Sequence, residues 1–248
     1  MTLSRRSLLA RTAAVTAAAC LPSLLTSPAH AATPGPDVGR LRESIRKAQA
    51  RNKKVLSGEF SRNGWEMEKT ADAHGHVYTR PVPGTPLDGV QVRIGDVETV
   101  LTHVVQRFHY EIDQLRTGDV LGWRAPDTVN KRHPESNQAS GTALQIRPGF
   151  YPSGVKGGFF TAQLQVVRDI LAELDGVVRW GGDDRHVDES LFYVDVKPGD
   201  ARLSAVVEKL RDWKATPGQG AGAPVDVLAT GRRKAAEKLR RHQRRTAA

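Results

Sequence analysis

From Asp96 to Leu115 the chain reads DVETVLTHVVQRFHYEIDQL. Val97, Val100, Leu101, Val104, Val105, Phe108, Ile112 and Leu115 recur at three- and four-residue intervals. In a helix that spacing makes a wide apolar face, stable in water only when other elements cover it. Asp96 reads as the N-cap and Gly118 as the stop. A core therefore has to form around this helix, and the remaining segments are read by how they pack on it.

VGRLRESIRKAQARNKKV (38–55) puts Val38, Leu41, Ile45 and Ala48 at helical spacing and predicts an amphipathic helix. Gly58 to Val92 mixes Gly, Pro and short apolar runs, the pattern of short strands and loops. Asp119 to Ala125, Gly141 to Ile146, Val177 to Trp180 and Ser190 to Val196 read as strands. Phe159 to Leu174 reads as a helix with Leu164, Val167, Ile170 and Leu171 inward, and Leu203 to Trp213 as a closing helix. Helices that precede and separate short strands imply an α+β fold with a small, mostly antiparallel sheet.

The two ends are of another kind. Arg5 and Arg6 precede a small-apolar run, and Ala29-His30-Ala31 fits the small-x-small cleavage rule. Residues 1–31 therefore read as a secretory signal, of the twin-arginine type, which predicts an exported, secreted protein. An ordinary secretory signal is the alternative. The single cysteine, Cys20, lies inside it, so the mature chain has no disulfide and no thiolate ligand. Residues 32–37 form a linker, 38–214 the folded domain, 215–230 a Gly-rich flexible linker and 231–248 a basic tail. No second long apolar run occurs, so no transmembrane helix is expected.

The tail accounts for much of the net charge of +10: it holds eight Lys/Arg against Glu237, and the signal holds three Arg. Residues 32–230 balance 26 basic against 26 acidic residues, so a nucleic-acid-binding face is not expected. The tail reads as at most a marginal basic helix whose deletion leaves stability nearly unchanged. Its expected partners are anionic polymers or headgroups.

SNQASGTALQ (136–145) carries Ser136, Gly141 and Ala143 in the register of the pattern SxHxxGxAxD. VVRWGGDD (177–184) and DESLFYVDV (188–196) follow it. Over these roughly 60 residues the chain resembles the zinc peptidoglycan peptidases: VanY-type D-Ala-D-Ala carboxypeptidases, endolysin L-alanyl-D-glutamate peptidases and distant Hedgehog-type domains. The resemblance implies a Hedgehog/DD-peptidase-like fold. It also implies a cleft for a wall peptide, lined here by Ser136, Gln138, Gln145, Trp180, Asp183 and Leu191. The family's three zinc ligands fall on Gln138, Gln145 and Leu191, and its general base falls on Asp188. Leu191 has no donor atom and the two glutamines offer only neutral amides, which suit zinc poorly. The expectation is a member without zinc or other cofactor and without activity, binding peptidoglycan or an anionic wall polymer.

Two rival readings keep an active hydrolase. One rewires the metal site through His133, His186 and Asp183 or Asp184, and the other pairs Asp188 with Asp195. A surface adaptor working through the tail is compatible with the inactive reading. Ser136, Gly141 and Thr142 read as backbone-shaping residues, and Trp180 with Gly181-Gly182 as a tight turn packed under the site. His74-Gly75-His76 reads as a plain turn, and His109 with Glu111 and Asp113 as one buried ring beside two exposed or paired acids.

Overall fold

The computed structural model describes residues 38–246. The signal segment 1–31, with Cys20, and the linker 32–37 lie outside the described residues. The chain divides into two units, Met1–Leu41 and Arg42–Ala248, and the second holds the sheets and the core.

Helix α1 spans Val38–Val55. Two antiparallel pairs follow, β1 (Leu56–Phe60) with β2 (Glu66–Glu68) and β3 (Val77–Arg80) with β4 (Val90–Arg93). Helix α2 is Asp96–Glu111. The main sheet is antiparallel in the order β5 (Val120–Leu121), β6 (Ala143–Ile146), β8 (Leu191–Val194), β7 (Val178–Trp180). Between its strands come the one-turn α3 (Ser136–Ala139) and the long α4 (Thr161–Glu173). Helices α5 (Ala201–Ala215) and α6 (Thr230–Thr246) close the described chain. This is the α+β architecture with a small antiparallel sheet. No helix among the described residues is long and apolar enough to cross a membrane.

Helix α2 is the centre of the core. Val97, Val100, Leu101, Val104, Val105 and Phe108 are buried, and α2 meets β4, β6, β8, α4 and α5. Removing a side chain of that size from water stabilises a fold by roughly 1.5–3 kcal/mol. Asp96 is not the cap. Gly95 takes that place at φ +92, and Glu98 reaches back to accept its N–H at 3.4 Å.

Beta alternation divides the main sheet's side chains between two faces. Leu144, Phe192, Val194, Val178 and Trp180 belong to the cluster built on α2 and α4. Ala143, Leu191 and Tyr193 form a separate cluster on the other face, and the register adds Gln145 opposite Leu191 and Arg179 opposite Tyr193.

Helix α1 forms over the residues expected; among the described residues Val38, Leu41 and Ile45 are exposed and Val55 is buried. One terminal expectation is corrected. The basic tail is not free: α6 packs along α4 and buries Ala236 and Gln243, with Leu239 against the core. Arg232 reaches Asp169 through two hydrogen bonds of 2.7 and 2.6 Å and Glu173 through one of 2.6 Å. The linker before it is a series of turns with Gly218, Gly220 and Gly222 at positive φ, and Val227 packs against the core.

Arg232 joins a buried charge cluster. Arg107 of α2 is 1% exposed, bonds Glu111 and Asp169 (3.0 Å) and forms an ion pair with Glu173 at 2.9 Å. His103 adds a 2.6 Å bond to Glu173. Burial alone pushes the Glu173 carboxyl up. The bonds from His103 and Arg232 and the charge of Arg107 outweigh it and hold Glu173 at about 2. A carboxyl held below its unfolded value stabilises the fold above that value and loses the contribution as pH falls toward the folded one. Stability is therefore expected to drop between the ordinary 4.5 and about 2. Thermal melts of Glu173→Gln should lie well below the parent's at neutral pH and converge with them across that window. A pH-independent gap would show that the cluster does not govern acid unfolding.

Candidate functional site

The site lies on the sheet face turned away from α2. Helix α3 is a single turn set by the loop before it: Ser136, Asn137 and Gln138 donate backbone N–H groups to His133, Pro134 and Glu135. Its side chains fix neighbouring loops. Ser136 Oγ accepts the N–H of Arg62 at 3.0 Å, and Asn137 Oδ1 accepts that of Asn63 at 3.2 Å. Thr142 Oγ1 accepts from the Asn63 amide at 2.8 Å. Gly141 ends the turn at φ +68, where a Cβ would stand 2.7 Å from both the Arg93 nitrogen and Val77 Cγ2. Only glycine lets Gly141 O accept the Arg93 N–H at 2.8 Å and so seat the motif on β4.

Beyond that glycine, β6 carries Gln145 directly opposite Leu191 of β8. Gln138 Nε2 donates to Gly122 O at 2.9 Å and lies 3.5 Å from Gln145 Oε1. Gln145 Nε2 donates to Asp188 Oδ2 at 2.9 Å. Asp188 Oδ1 accepts from the Ser190 N–H at 3.0 Å and the Ser190 hydroxyl at 2.6 Å. The three positions matched to zinc ligands and the one matched to the base thus converge, as the motif spacing requires. Gln138, Gln145 and Asp188 are tied by a line of hydrogen bonds from Gly122 through two neutral amides to a carboxylate.

All four are nearly sealed: Gln138 is 0%, Gln145 8%, Asp188 4% and Leu191 2% exposed. The cleft positions are therefore packed shut here. The donor set does not fit zinc. Leu191 supplies nothing, the amide oxygens are neutral, and both carboxylate oxygens of Asp188 are engaged. Gln138 Oε1 is buried without a hydrogen-bond partner, a cost of about 1–3 kcal/mol accepted at this position.

Trp180 and Asp183 do not join this group. The register turns Trp180 to the helix face, where its ring meets Phe159 edge-on at 5.7 Å and carries Arg168 at 4.9 Å. Its Nε1–H donates to Glu189 O at 2.7 Å. A Cβ on Gly182 would collide with that ring, which explains the glycine after the tryptophan turn. Asp183 is held by Arg168 of α4, one bond measuring 2.7 Å. Asp188 and Asp195 stand at opposite ends of β8, whose four residues span roughly 13 Å, beyond the reach of a catalytic carboxylate pair.

No family model, curated protein or solved structure matches this chain.

The histidines singled out from the sequence are distributed unevenly. His133 and His186 meet ring to ring, centroids 4.3 Å apart, over a surface pocket of about 550 Å³. Arg62, Pro134, Asp184 and Arg185 complete its lining. Asp184 is occupied from behind, with Tyr193 donating its hydroxyl at 2.9 Å and Arg179 Nε lying 3.3 Å away. Burial raises the Asp184 carboxyl, against the pull of these two and of Arg62. Among the described residues no three His, Cys, Asp or Glu side chains form a metal-holding group. His76 pairs with the buried Glu68 at 3.2 Å and shapes a turn with His74. His109 accepts the Leu115 N–H at 2.9 Å beyond the end of α2, while Glu111 pairs with Arg107 and Asp113 with Arg147. The buried imidazole of α2 is His103, on a face the apolar pattern marks only indirectly. Arg62, Tyr193 and Arg179 were also invisible as site residues, since register and loop closure bring them in.

Proposed function

We propose that this chain is an exported, catalytically inactive relative of the zinc peptidoglycan peptidases, with a Hedgehog/DD-peptidase-like fold, and that it acts by binding wall peptide or anionic wall polymer. The observation that carries the reading is the convergence of Gln138, Gln145, Asp188 and Leu191 on one sheet face, joined by amide hydrogen bonds. Convergence at the ligand positions supports descent from a metal site. Neutral amides and a leucine there argue against hydrolysis, because a water without a metal is far too weak an acid for Asp188 to activate near neutral pH.

Support for binding comes from the exposed cations of α6, where Arg233, Lys234, Lys238, Arg241, Arg244 and Arg245 extend from a helix fixed to the domain. Each cation near an anionic surface contributes roughly 1 kcal/mol, falling off within a Debye length. The alternative, an active hydrolase with a rewired site, draws on the His133–His186 contact.

The test is metal content and activity on protein purified without chelator. We expect no stoichiometric zinc, no D,D-carboxypeptidase or L-alanyl-D-glutamate peptidase turnover, and pelleting with isolated walls that weakens as salt rises. One zinc per chain, lost together with activity on chelation, would sink the inactive reading. Absence of wall pelleting at low salt would sink the binding role.

A further inference from the structure

We propose that the pocket lined by Arg62, His133, Pro134, Asp184, Arg185 and His186 is a binding site for a phosphate group carried on a larger molecule. The site lies outside the sealed cluster of Gln138, Gln145, Asp188 and Leu191, and the proposal does not depend on the fate of the zinc.

Four donors of the right kind line one opening. Arg62 and Arg185 form no ion pair with any acid among the described residues, and both are exposed. The less exposed arginines Arg107, Arg147, Arg168, Arg179 and Arg232 are each bonded to a carboxylate. Guanidinium groups left unpaired at a concave site match oxyanions through their fixed fork of N–H donors. His133 and His186 add two ring edges. The 4.3 Å between their centroids leaves no space for a ligand between the rings, so both must meet it from one side.

The acid in the lining does not oppose this. Asp184 accepts the Tyr193 hydroxyl through both oxygens, at 3.1 and 2.9 Å, and faces Arg179 at 3.3 Å. Its charge is answered from the protein side by Arg179 and in part by Arg62, so Arg185 leaves the lining net positive.

Shape separates the anions. A planar carboxylate is satisfied by one guanidinium in a two-bond fork. A tetrahedral phosphate offers oxygens in several directions and engages two forks and two imidazoles together. Size separates the phosphates. A volume of about 550 Å³ falls within the range of small-molecule pockets and exceeds what the bare ion fills, so the group is expected as an ester. The same rings do not make a phosphoester hydrolase, because general acid and base must flank the phosphoryl group and these two imidazoles stack on one side of it.

The backbone holds the lining in place. Arg62 N–H donates to Ser136 Oγ at 3.0 Å, which fixes the Arg62 loop to the turn that begins after His133. On the other wall, Asp184 and Asp188 each donate an N–H to Gly181 O, at 3.1 Å, which folds the loop carrying Arg185 and His186.

The experiment titrates the mature chain with inorganic phosphate, with glycerol 3-phosphate and with a poly(glycerol phosphate) chain. Calorimetry gives stoichiometry, and the ring-proton resonances of His133 and His186 report occupancy. We expect one saturable site whose affinity falls roughly tenfold or more with either Arg62→Gln or Arg185→Gln. Both side chains are exposed, so the variants should fold as the parent does. A His133→Gln/His186→Gln double variant checks the rings. Tighter binding of inorganic phosphate than of either ester would overturn the ester assignment, and tighter binding of an ester supports it. The comparison of the single ester with the polymer then tells which source the site takes. A variant with Arg233, Lys234, Arg240 and Arg241 all changed to Gln should keep the saturable site. Loss of binding in that variant, with none in Arg62→Gln or Arg185→Gln, would assign the phosphate to α6 and overturn the proposal. So would no saturable binding of any of the three.

Discussion

Replacing Arg232 by alanine is expected to destabilise the domain by roughly 3 kcal/mol, the lower end of what breaking a buried ion pair costs. Asp169 is 2% and Glu173 6% exposed, and Arg232 gives them three hydrogen bonds between 2.6 and 2.7 Å. Without it, two desolvated carboxylates remain beside Glu111, and Arg107 is the only guanidinium facing all three. Because Arg107 still serves both and the Arg232 side chain is itself 33% exposed, the lower figure applies. For a domain of this size it corresponds to a fall in melting temperature of roughly 6–12 °C. Deleting residues 230–248 should cost more, since Ala236, Leu239 and Gln243 leave with the arginine and uncover α4. Arg179 also loses its 2.9 Å bond to the Gln243 carbonyl. Substituting the exposed Arg244 and Arg245 by Gln is the control and should leave stability within about 0.5 kcal/mol. Denaturant midpoints of the three variants decide it. A deletion that melts with the parent would mean that α6 is the solvated tail its composition describes.

That contrast marks where the sequence was legible. The face of α2 was plain because its six apolar positions fit one period and find a core, although the helix ends at Glu111 and not at Gly118. Strands β6, β7 and β8 were found within a residue or two at each end, because short apolar runs between Gly and Asp leave little choice. Helix α6 was misjudged for a physical reason. Its inward stripe is Arg232, Ala236, Leu239 and Gln243, at helical spacing, but half of it is polar because it must satisfy Asp169, Glu173 and the Val178 carbonyl. Hydrophobicity does not mark such a face. Helix α1 forms where its period placed it, at Val38–Val55, and shows the limit of that signal. Val38, Leu41 and Ile45 show the right period, yet a period tells which side of a helix is apolar and not whether anything covers it.

The site divides in the same way. Motif spacing brought positions 138, 145, 188 and 191 together, because antiparallel pairing puts Gln145 against Leu191. Spacing could not say that Trp180 lies on the reverse face. Strand parity decides that, through its pairing with Phe192 in β8. Nor could it show that the cleft positions are sealed, which follows from the loops that carry Gly122 and Ser190 closing over two amides.

The triple change Gln138→His, Gln145→Asp and Leu191→His is expected to convert the sealed cluster into a zinc site. The parent already spaces two of the side chains suitably. Gln138 Nε2 and Gln145 Oε1 stand 3.5 Å apart, close to the edge of roughly 3.3 Å between ligands of a tetrahedral zinc with bonds near 2.0–2.1 Å. Leu191 is the cross-strand partner of Gln145, so a histidine there starts from a Cβ roughly 5 Å away and reaches the same point. Shortening Gln145 to aspartate opens the volume the metal needs and releases Asp188 from the 2.9 Å bond that now holds it. Without metal the variant should be less stable than the parent, because it buries two imidazoles and sets a second carboxylate near Asp188. Zinc should restore it, by about 4 kcal/mol at a thousandfold excess over Kd. The readouts are zinc stoichiometry and a melting temperature that rises with zinc in the triple variant and not in the parent. Single changes should bind little, since one or two ligands do not hold the ion. A folded triple variant with no more affinity for zinc than the parent would break the register on which the proposed relation to the zinc peptidases rests. It would leave Gln138, Gln145 and Asp188 as an ordinary buried polar network.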